Sequence, residues 1–414
     1  MEVRRVFHPV GQGGFYTEEI DHKCMVVYDC GGTSTDSIKD YLETSFYYEN
    51  NSLPINAVFI SHLHADHING LPFLLQNFNV ARLFIPMLTQ NEIIETFLFN
   101  AANYSSEEER NIANEFLISV IRGEYHKVNI IQVREKKNQE RKESFYLYED
   151  DIDERIEIES GTHIYTNSWA NPTSQSVHDH SGYRWVYIPF NISLDTPIFS
   201  PIEDDEQLEY YIPIIEELYN NPSPIDFYTK LVELLRPCSQ ATLGKIYKHL
   251  FGEVHNSHSM TVFAGVLNQD FEHLKIENCC NLFPGLFNCY FWKNGKRRFI
   301  SHYAYENKIP SNFLYMGDFE ANKPKNYDAL REFYIRHNVW DTISGVQIPH
   351  HGSKYNYCQE LYEDKCFAIA SAGINNRFHH PSIDIMLRIA QAGCSPNLVT
   401  EDINTLKYQH FKIY

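Results

Sequence analysis

Short apolar runs alternate with polar residues over the first third of the chain, and glycine turns separate the runs. Residues 4–9 and 24–28 carry the strand pattern, the second closed by Asp29-Cys-Gly-Gly. Residues 37–43 read as a short helix and 57–61 as a buried strand. A helix-like segment begins at Gly70, and 80–85 is a further strand. Gly11, Gly13 and Gly14 make a tight turn between strands, and the Gly-x-x-x-x-Gly-Lys-Ser/Thr pattern of a phosphate loop is absent. This β-β-α-β-α order predicts mixed α/β layers, with chemistry at the C-terminal ends of strands.

The middle of the chain changes period. Ser106-Glu-Glu-Glu109 is a capping-box start, after which Ile112, Phe116, Val120 and Ile121 recur at helical spacing. Helices are expected over 204–220, 224–235 and 241–251; the apolar stripe of the first (Leu208, Tyr211, Ile215, Leu218) reads as a packing face. The mixed charge run at 136–143 reads as a solvated loop. We read about 90–255 as a mainly helical elaboration inserted into a single domain spanning 1–414. The last third returns to strands at 258–267, 313–316, 345–349 and 367–372, with a hairpin at 288–301 turned at Asn294-Gly295 and a helix at 382–392. Strand after strand delivers a polar, metal-loving residue just past its end: Gly317-Asp318, His350-His351-Gly-Ser, then His379-His380-Pro.

Composition narrows the class. With 43% hydrophobic and 21% charged residues the chain is globular rather than disordered. Its apolar runs are too short to cross a bilayer, and the first residues lack the apolar core of an export signal, so a cytoplasmic protein is expected. Nine cysteines, an odd number with no Cys-x-x-Cys, read as mostly buried free thiols. A net charge of −19 repels polyanions at long range, so a nucleic-acid substrate needs a local basic channel or metal ions to offset it.

The concentrated chemistry is Ser61-His-Leu-His-Ala-Asp-His67. In extended chain, residues i and i+2 point the same way, so His62 and His64 are placed to grip one ion together. A turn into helix after Ala65 swings Asp66 and His67 toward a neighbouring position. Imidazole plus carboxylate suits zinc, manganese or iron(II), and the lack of cysteine here argues against a closed structural zinc site. One histidine in a loop is ordinarily a bystander; four ligand-type residues in six positions after an apolar strand are not.

This segment, continued through Ile-Asn-Gly-Leu71, resembles the signature of the metallo-β-lactamase fold hydrolases. Val10-Gly-Gln-Gly, Tyr28-Asp-Cys-Gly-Gly, Asn256-Ser-His-Ser-Met-Thr-Val, Met316-Gly-Asp318, His350-His-Gly-Ser and His379-His-Pro fall in the order seen in the branch that contains the soluble domain of the competence protein ComEC and related phosphodiesterases. The resemblance implies an αββα sandwich with two divalent metal ions, zinc or manganese, at one edge of the paired sheets. It also implies that Asp318 bridges the metals and that His351 is a further ligand. His350 is the alternative ligand or a substrate-side acid, and His258 is the candidate for the separate histidine that completes the first metal site. Residues 90–255 have no counterpart in that branch.

Two ions held together lower the pKa of a bridging water and steady both attacking and leaving oxygens. On this reading Asp66 binds an ion and orients the activated water, and His380, or His379, protonates the leaving oxygen. The bland reading of that pair is a capped helix start before Pro381. Arg377 is the candidate clamp on phosphate; Lys354 reads as an exposed loop lysine. Asp29 is either a turn aspartate or the group that orients a ligand histidine. The expected function is hydrolysis of a phosphodiester, in nucleic acid or a nucleotide-derived molecule, with the insertion as the surface for any protein partner. Hydrolysis of a lactone, thioester or β-lactam on the same scaffold is the alternative, and a metal-stabilised binding module without catalysis is the third reading.

Overall fold

A computed structural model describes residues 1–50, 53–104, 106–121, 124–135, 157–165, 185–192, 199, 202, 205–220, 224–252, 259–267, 276–280, 290–293, 296–299 and 309–413. The chain opens with strands β1 (Glu2–Phe7), β2 (Phe15–Ile20) and β3 (Cys24–Cys30), then helix α1 (Thr35–Tyr41), continued to α2 (Tyr47–Asn50). Next come β4 (Ile55–Phe59), α3 (Ala65–Ile68), α4 (Leu71–Asn77), β5 (Arg82–Pro86), α5 (Gln90–Asn103) and α6 (Glu107–Ile121). Strands β6 (Asn129–Arg134), β7 (Glu157–Glu159), β8 (Ile164–Tyr165) and β9 (Trp185–Phe190) precede helices α7 (Glu206–Tyr219), α8 (Pro224–Leu235) and α9 (Gln240–Phe251). The remainder holds β10 (Thr261–Val266), β11 (Ile276–Cys280), β12 (Tyr290–Lys293), β13 (Lys296–Phe299), β14 (Ile309–Tyr315), α10 (Pro324–Arg336), β15 (Ile343–Gln347), β16 (Phe367–Ser371), α11 (Ile383–Gln391), β17 (Ser395–Val399) and β18 (Lys407–Ile413).

Two sheets result. The larger runs β11-β18-β1-β2-β3-β4-β5-β6-β7, antiparallel as far as β3 and parallel beyond it. The smaller runs β17-β16-β15-β14-β10-β9-β8, parallel as far as β14 and antiparallel beyond it. The period-2 alternation of the strands sorts their side chains between two cores. Val26 and Tyr28 of β3 join Val262 and Ala264 of β10 and Phe313 and Tyr315 of β14 in the layer between the sheets. Met25 and Val27 face the other way, into the helices on the outer face of the larger sheet. Phe263, Leu314 and Val346 face α10 and α11 behind the smaller sheet. The order of layers is therefore helix, sheet, sheet, helix.

Residues 90–255 supply the expected helices and also strands. β6 and β7 extend the larger sheet, while β8 and β9 belong to the smaller, where β9 pairs with β10 over six residues and is buried throughout. The stretch is woven into both sheets, because a strand buried on both faces must satisfy its backbone within a sheet. Its helices α5 to α9 cover the outer face of the larger sheet, with Ile94 and Leu98 of α5 against the same core as Leu63 and Ile68.

A buried ion pair within the larger sheet makes hydrogen bonds that cross to the smaller. Arg5 of β1 donates from Nε to Glu18 Oε1 at 2.6 Å, and also to Gln409 Oε1 and the Ser311 carbonyl. Glu18 accepts in addition from Trp185 Nε1, Tyr187 and Tyr315. Burying both charges is costly unless each polar atom is met, and here each oxygen has two donors. Cys24, Cys30, Cys238, Cys358, Cys366 and Cys394 are free thiols. No helix among those residues is long and apolar enough to cross a membrane. The charge run at 136–143, the Asn294-Gly295 turn and His258 lie outside the described residues, although β12 and β13 pair in hairpin register on either side of that turn.

Candidate metal centre

Three strands end at one place and hand over the donors. β4 runs through Ile60 and Ser61 to His62, β14 runs through Met316 and Gly317 to Asp318, and β15 leads to His350 and His351. Gly317 has to be glycine: its φ is 52°, and a Cβ there would stand 2.5 Å from Cβ of Ser61. The loop 62–67 is seated by its backbone in the glycine turns, where a Cβ on Gly13 would meet the Asp66 carbonyl oxygen at 1.9 Å. Four of the eight non-glycine residues at positive φ among the described residues, Asp29, His350, His351 and His379, lie in the loops around the site. Such backbone persists only where its surroundings enforce it.

The donor atoms form two overlapping groups, each converging within 4.8 Å: His62, His67 and Asp318, and Asp66, His67 and His351. Asp318 Oδ1 lies 3.1 Å from His67 Nε2 and 3.6 Å from His351 Nε2, and its Oδ2 lies 3.7 Å from His62 Nε2. Asp66 Oδ2 is 3.3 Å from His351 Nε2. Neighbours set the tautomers. His351 Nδ1 lies 2.9 Å from the Ser371 carbonyl, which can only accept, so Nδ1 carries the proton and Nε2 keeps its lone pair for the cluster. His67 Nδ1 donates in the same way to Asp29 Oδ2 at 2.9 Å.

Asp29 is itself fixed by the amide and hydroxyl of Ser61, at 2.7 and 2.9 Å. His62 Nδ1 has the hydroxyls of Ser61 and Ser259 at 2.9 and 3.1 Å, and Ser259 also accepts from the Asp318 amide. Tyr104 donates to Asp66 Oδ1 at 2.6 Å. His64 stands beside the two groups. Its ring lies 4.4 Å from that of His62, stacked at 3.8 Å on Phe99, with Nε2 3.4 Å from Glu95 Oε2.

The electrostatics are those of a cation site. Burial works to raise the pKa of Asp318, yet the imidazoles of His350, His67 and His351 outweigh it and hold the carboxyl well below its usual range. Burial also disfavours charge on His67, but Asp318, Asp29 and Asp66 override it and raise its pKa well above that of free imidazole. The carboxylates thus favour positive charge among themselves, a demand that a divalent ion would meet. Imidazole nitrogens with fixed lone pairs, ionised carboxylates and near-complete burial fit zinc or manganese.

The rim differs. His350 is 17% exposed, with Nε2 3.8 Å from Asp318 Oδ2, and burial pushes its pKa down to about 4. His380 lies 5.5 Å from the His350 ring and 6.5 Å from that of His351. Asn376 brackets His380 by accepting from its amide and donating to its carbonyl. Burial, then His351 and His350, lower the pKa of His380 to about 3. His379 and Arg377 point outward. Arg377 is exposed, lies over the Phe378 ring and donates to the Asn103 carbonyl at the end of α5. Lys354 is exposed over Tyr355.

Sequence reasoning did not find Glu95, Phe99, Tyr104 or Ser259. Ser259 stands next to His258 in Asn256-Ser-His-Ser-Met-Thr-Val, so a hydroxyl before a strand was the available signal. The other three come from the inserted stretch, where nothing local marks them.

The family described as Anti-Pycsar protein Apyc1 matches over residues 18–163. No curated protein matches the chain. A β-lactamase domain protein from Burkholderia ambifaria is 25% identical over 24% of this chain and 32% of its own, with a TM-score of 0.17. An archaeal metallo-β-lactamase superfamily protein from Sulfolobus tokodaii is 20% identical over 45% of this chain and 54% of its own, with a TM-score of 0.20. A β-lactamase from Chitinophaga pinensis is 12% identical over 61% and 84%, with a TM-score of 0.19. The chain thus spans about a third of the first of these and about half of the second. The order of layers, the strand order and the His-x-His-x-Asp-His loop at a strand end make the fold an αββα sandwich of the metallo-β-lactamase type.

Proposed function

We propose that the protein is a metal-dependent hydrolase of phosphodiesters, acting on nucleic acid or a nucleotide-derived molecule. One observation carries the metal-dependent part of this reading: His62, Asp66, His67, Asp318 and His351 aim nitrogen and carboxylate donors at one buried spot from three strand ends. The choice of a phosphodiester rests on the resemblance of Gly317-Asp318 and His350-His-Gly-Ser to the phosphodiesterase branch. Two divalent ions, zinc or manganese, would be held among these residues and His64. When bound, they supply Lewis acidity toward a phosphoryl oxygen.

The chain's own groups do the rest. Asp29 and the Ser371 carbonyl keep His67 and His351 in the tautomer that offers Nε2 inward. Tyr104 fixes one oxygen of Asp66 and leaves the other toward His351. His350 and His380 stand at the rim, where their lowered pKa values keep them neutral at pH 7. A neutral imidazole there offers a leaving oxygen an N–H hydrogen bond, not the proton that the sequence reading expected His380 to deliver. Residues 18–163 match a family named for opposing Pycsar, and we extend that role to this chain.

The test is metal analysis followed by turnover of bis-p-nitrophenyl phosphate, a cyclic dinucleotide, DNA and a lactone, with zinc and with manganese. Bound metal and phosphodiester turnover that disappears in Asp318→Asn are expected. Lactone turnover alone moves the protein to the alternative chemistry, and loss of Pycsar activity on co-expression checks the cellular role.

A further inference from the structure

Helix α5 begins the inserted stretch, and one of its sides lies on the metal loop. Asn100 donates to the Leu63 carbonyl and accepts from the Ala65 amide, both at 3.0 Å. Tyr104, just past the helix end, reaches Asp66. Glu95 and Phe99 are one turn apart and therefore share a face. They meet His64 together: Phe99 lies flat on its ring at 3.8 Å and 6°, and Glu95 Oε2 faces its Nε2 at 3.4 Å.

Glu95 is 2% exposed. Burying a carboxylate costs several kcal/mol unless its oxygens are met. Tyr247 of α9 donates to Oε1 at 3.1 Å, and His64 stands at Oε2. A carboxylate accepts and never donates, so this contact asks His64 to carry its proton on Nε2. The lone pair is then on Nδ1.

We infer that Glu95, held by Tyr247, is a positioning residue that fixes the tautomer and ring plane of His64 and so sets the affinity of one of the two metals. The inference rests on the metal-dependent reading above. It gives the insertion a task, since α5 and α9 supply to His64 what Asp29 supplies to His67. A ligand histidine whose other nitrogen is held by a carboxylate binds more tightly, and removing the carboxylate typically costs about 10–100-fold.

The experiment compares wild type, Glu95→Gln and Tyr247→Phe by zinc competition against a chromophoric chelator. 15N NMR of histidine-labelled protein, with and without zinc, reads the tautomer of His64. Glu95→Gln is expected to weaken one zinc by about 10–100-fold, leave the other unchanged, and turn the Nε2–H form of His64 into a mixture. Tyr247→Phe, which leaves the carboxylate in place, is expected to give a smaller loss at the same zinc. It carries the test if Glu95→Gln does not fold. Unchanged zinc affinities with an unchanged tautomer overturn the inference. Wild type that takes up neither zinc nor manganese overturns the metal reading instead, and the tautomer of the metal-free protein then still decides whether Glu95 orients His64.

Discussion

Asp29 Oδ2 accepts from His67 Nδ1 at 2.9 Å, and both side chains are fully buried. The aspartate closes β3 in left-handed backbone, and this turns its carboxylate across to the neighbouring β4 loop. Asp29→Asn removes the charge and keeps the shape. We expect metal affinity to fall about 10–100-fold, with activity recovered at high metal. Equal dissociation constants for wild type and variant, measured by chelator competition, refute this.

Tyr104 holds Asp66 by donating a short hydrogen bond to its carboxylate, and its hydroxyl also accepts from the Asp66 amide at 3.3 Å. A bond to a charged group contributes about 1.5–3 kcal/mol. Tyr104→Phe is therefore expected to lower kcat by about 10–100-fold at saturating metal, through a misaligned Asp66. Steady-state kinetics at several metal concentrations separate this from lost metal, since only the latter is rescued by adding more.

How much of this was legible follows from the range of each contact. The strand β3 and the donor types at 62–67 could be read because alternation and motif are local. Glu95 and Tyr104 lie 31 and 38 residues from the side chains they contact, and Ser259 lies 197 from His62. Only the fold brings such pairs together. β18 escaped for another reason: Gln409, one of its inward residues, is polar because it serves the buried Arg5, so the apolar alternation is broken where the core needs an acceptor. Within 90–255, β7 and β8 are three and two residues long, too short to show alternation, and the six residues of β9 are buried throughout and so carry no polar-apolar period.

The Arg5–Glu18 pair lies within the larger sheet and is bonded to residues of the smaller one, and its loss is predicted to affect stability. Glu18→Ala leaves a buried guanidinium and three donors unmet and is expected to cost about 3–5 kcal/mol. Urea unfolding measures it. Replacing both with apolar residues, Arg5→Met with Glu18→Leu, is expected to recover part of the loss. A double variant as unstable as the single one argues that the network contributes more than charge compensation.

Acid sensitivity has a source outside the metal centre. His8 is 4% exposed, with Tyr41 at Nδ1 and Thr17 at Nε2, both at 2.8 Å. Burial, aided by Arg4, lowers its pKa to about 3. In the unfolded chain the group titrates near 6.5, so between pH 6.5 and 3 the unfolded state binds a proton that the native state refuses. Stability therefore falls as pH drops through that window, by up to about 1.4 kcal/mol per pH unit, and does not depend on His8 above it. His8→Gln keeps a donor and an acceptor but does not titrate. With both proteins stripped of metal, urea unfolding at pH 7.5, 6 and 5 is expected to show the two curves converging as the pH falls, with about 2 kcal/mol of the initial gap removed by pH 5. Curves that stay parallel over that range mean that His8 is already charged in the folded protein.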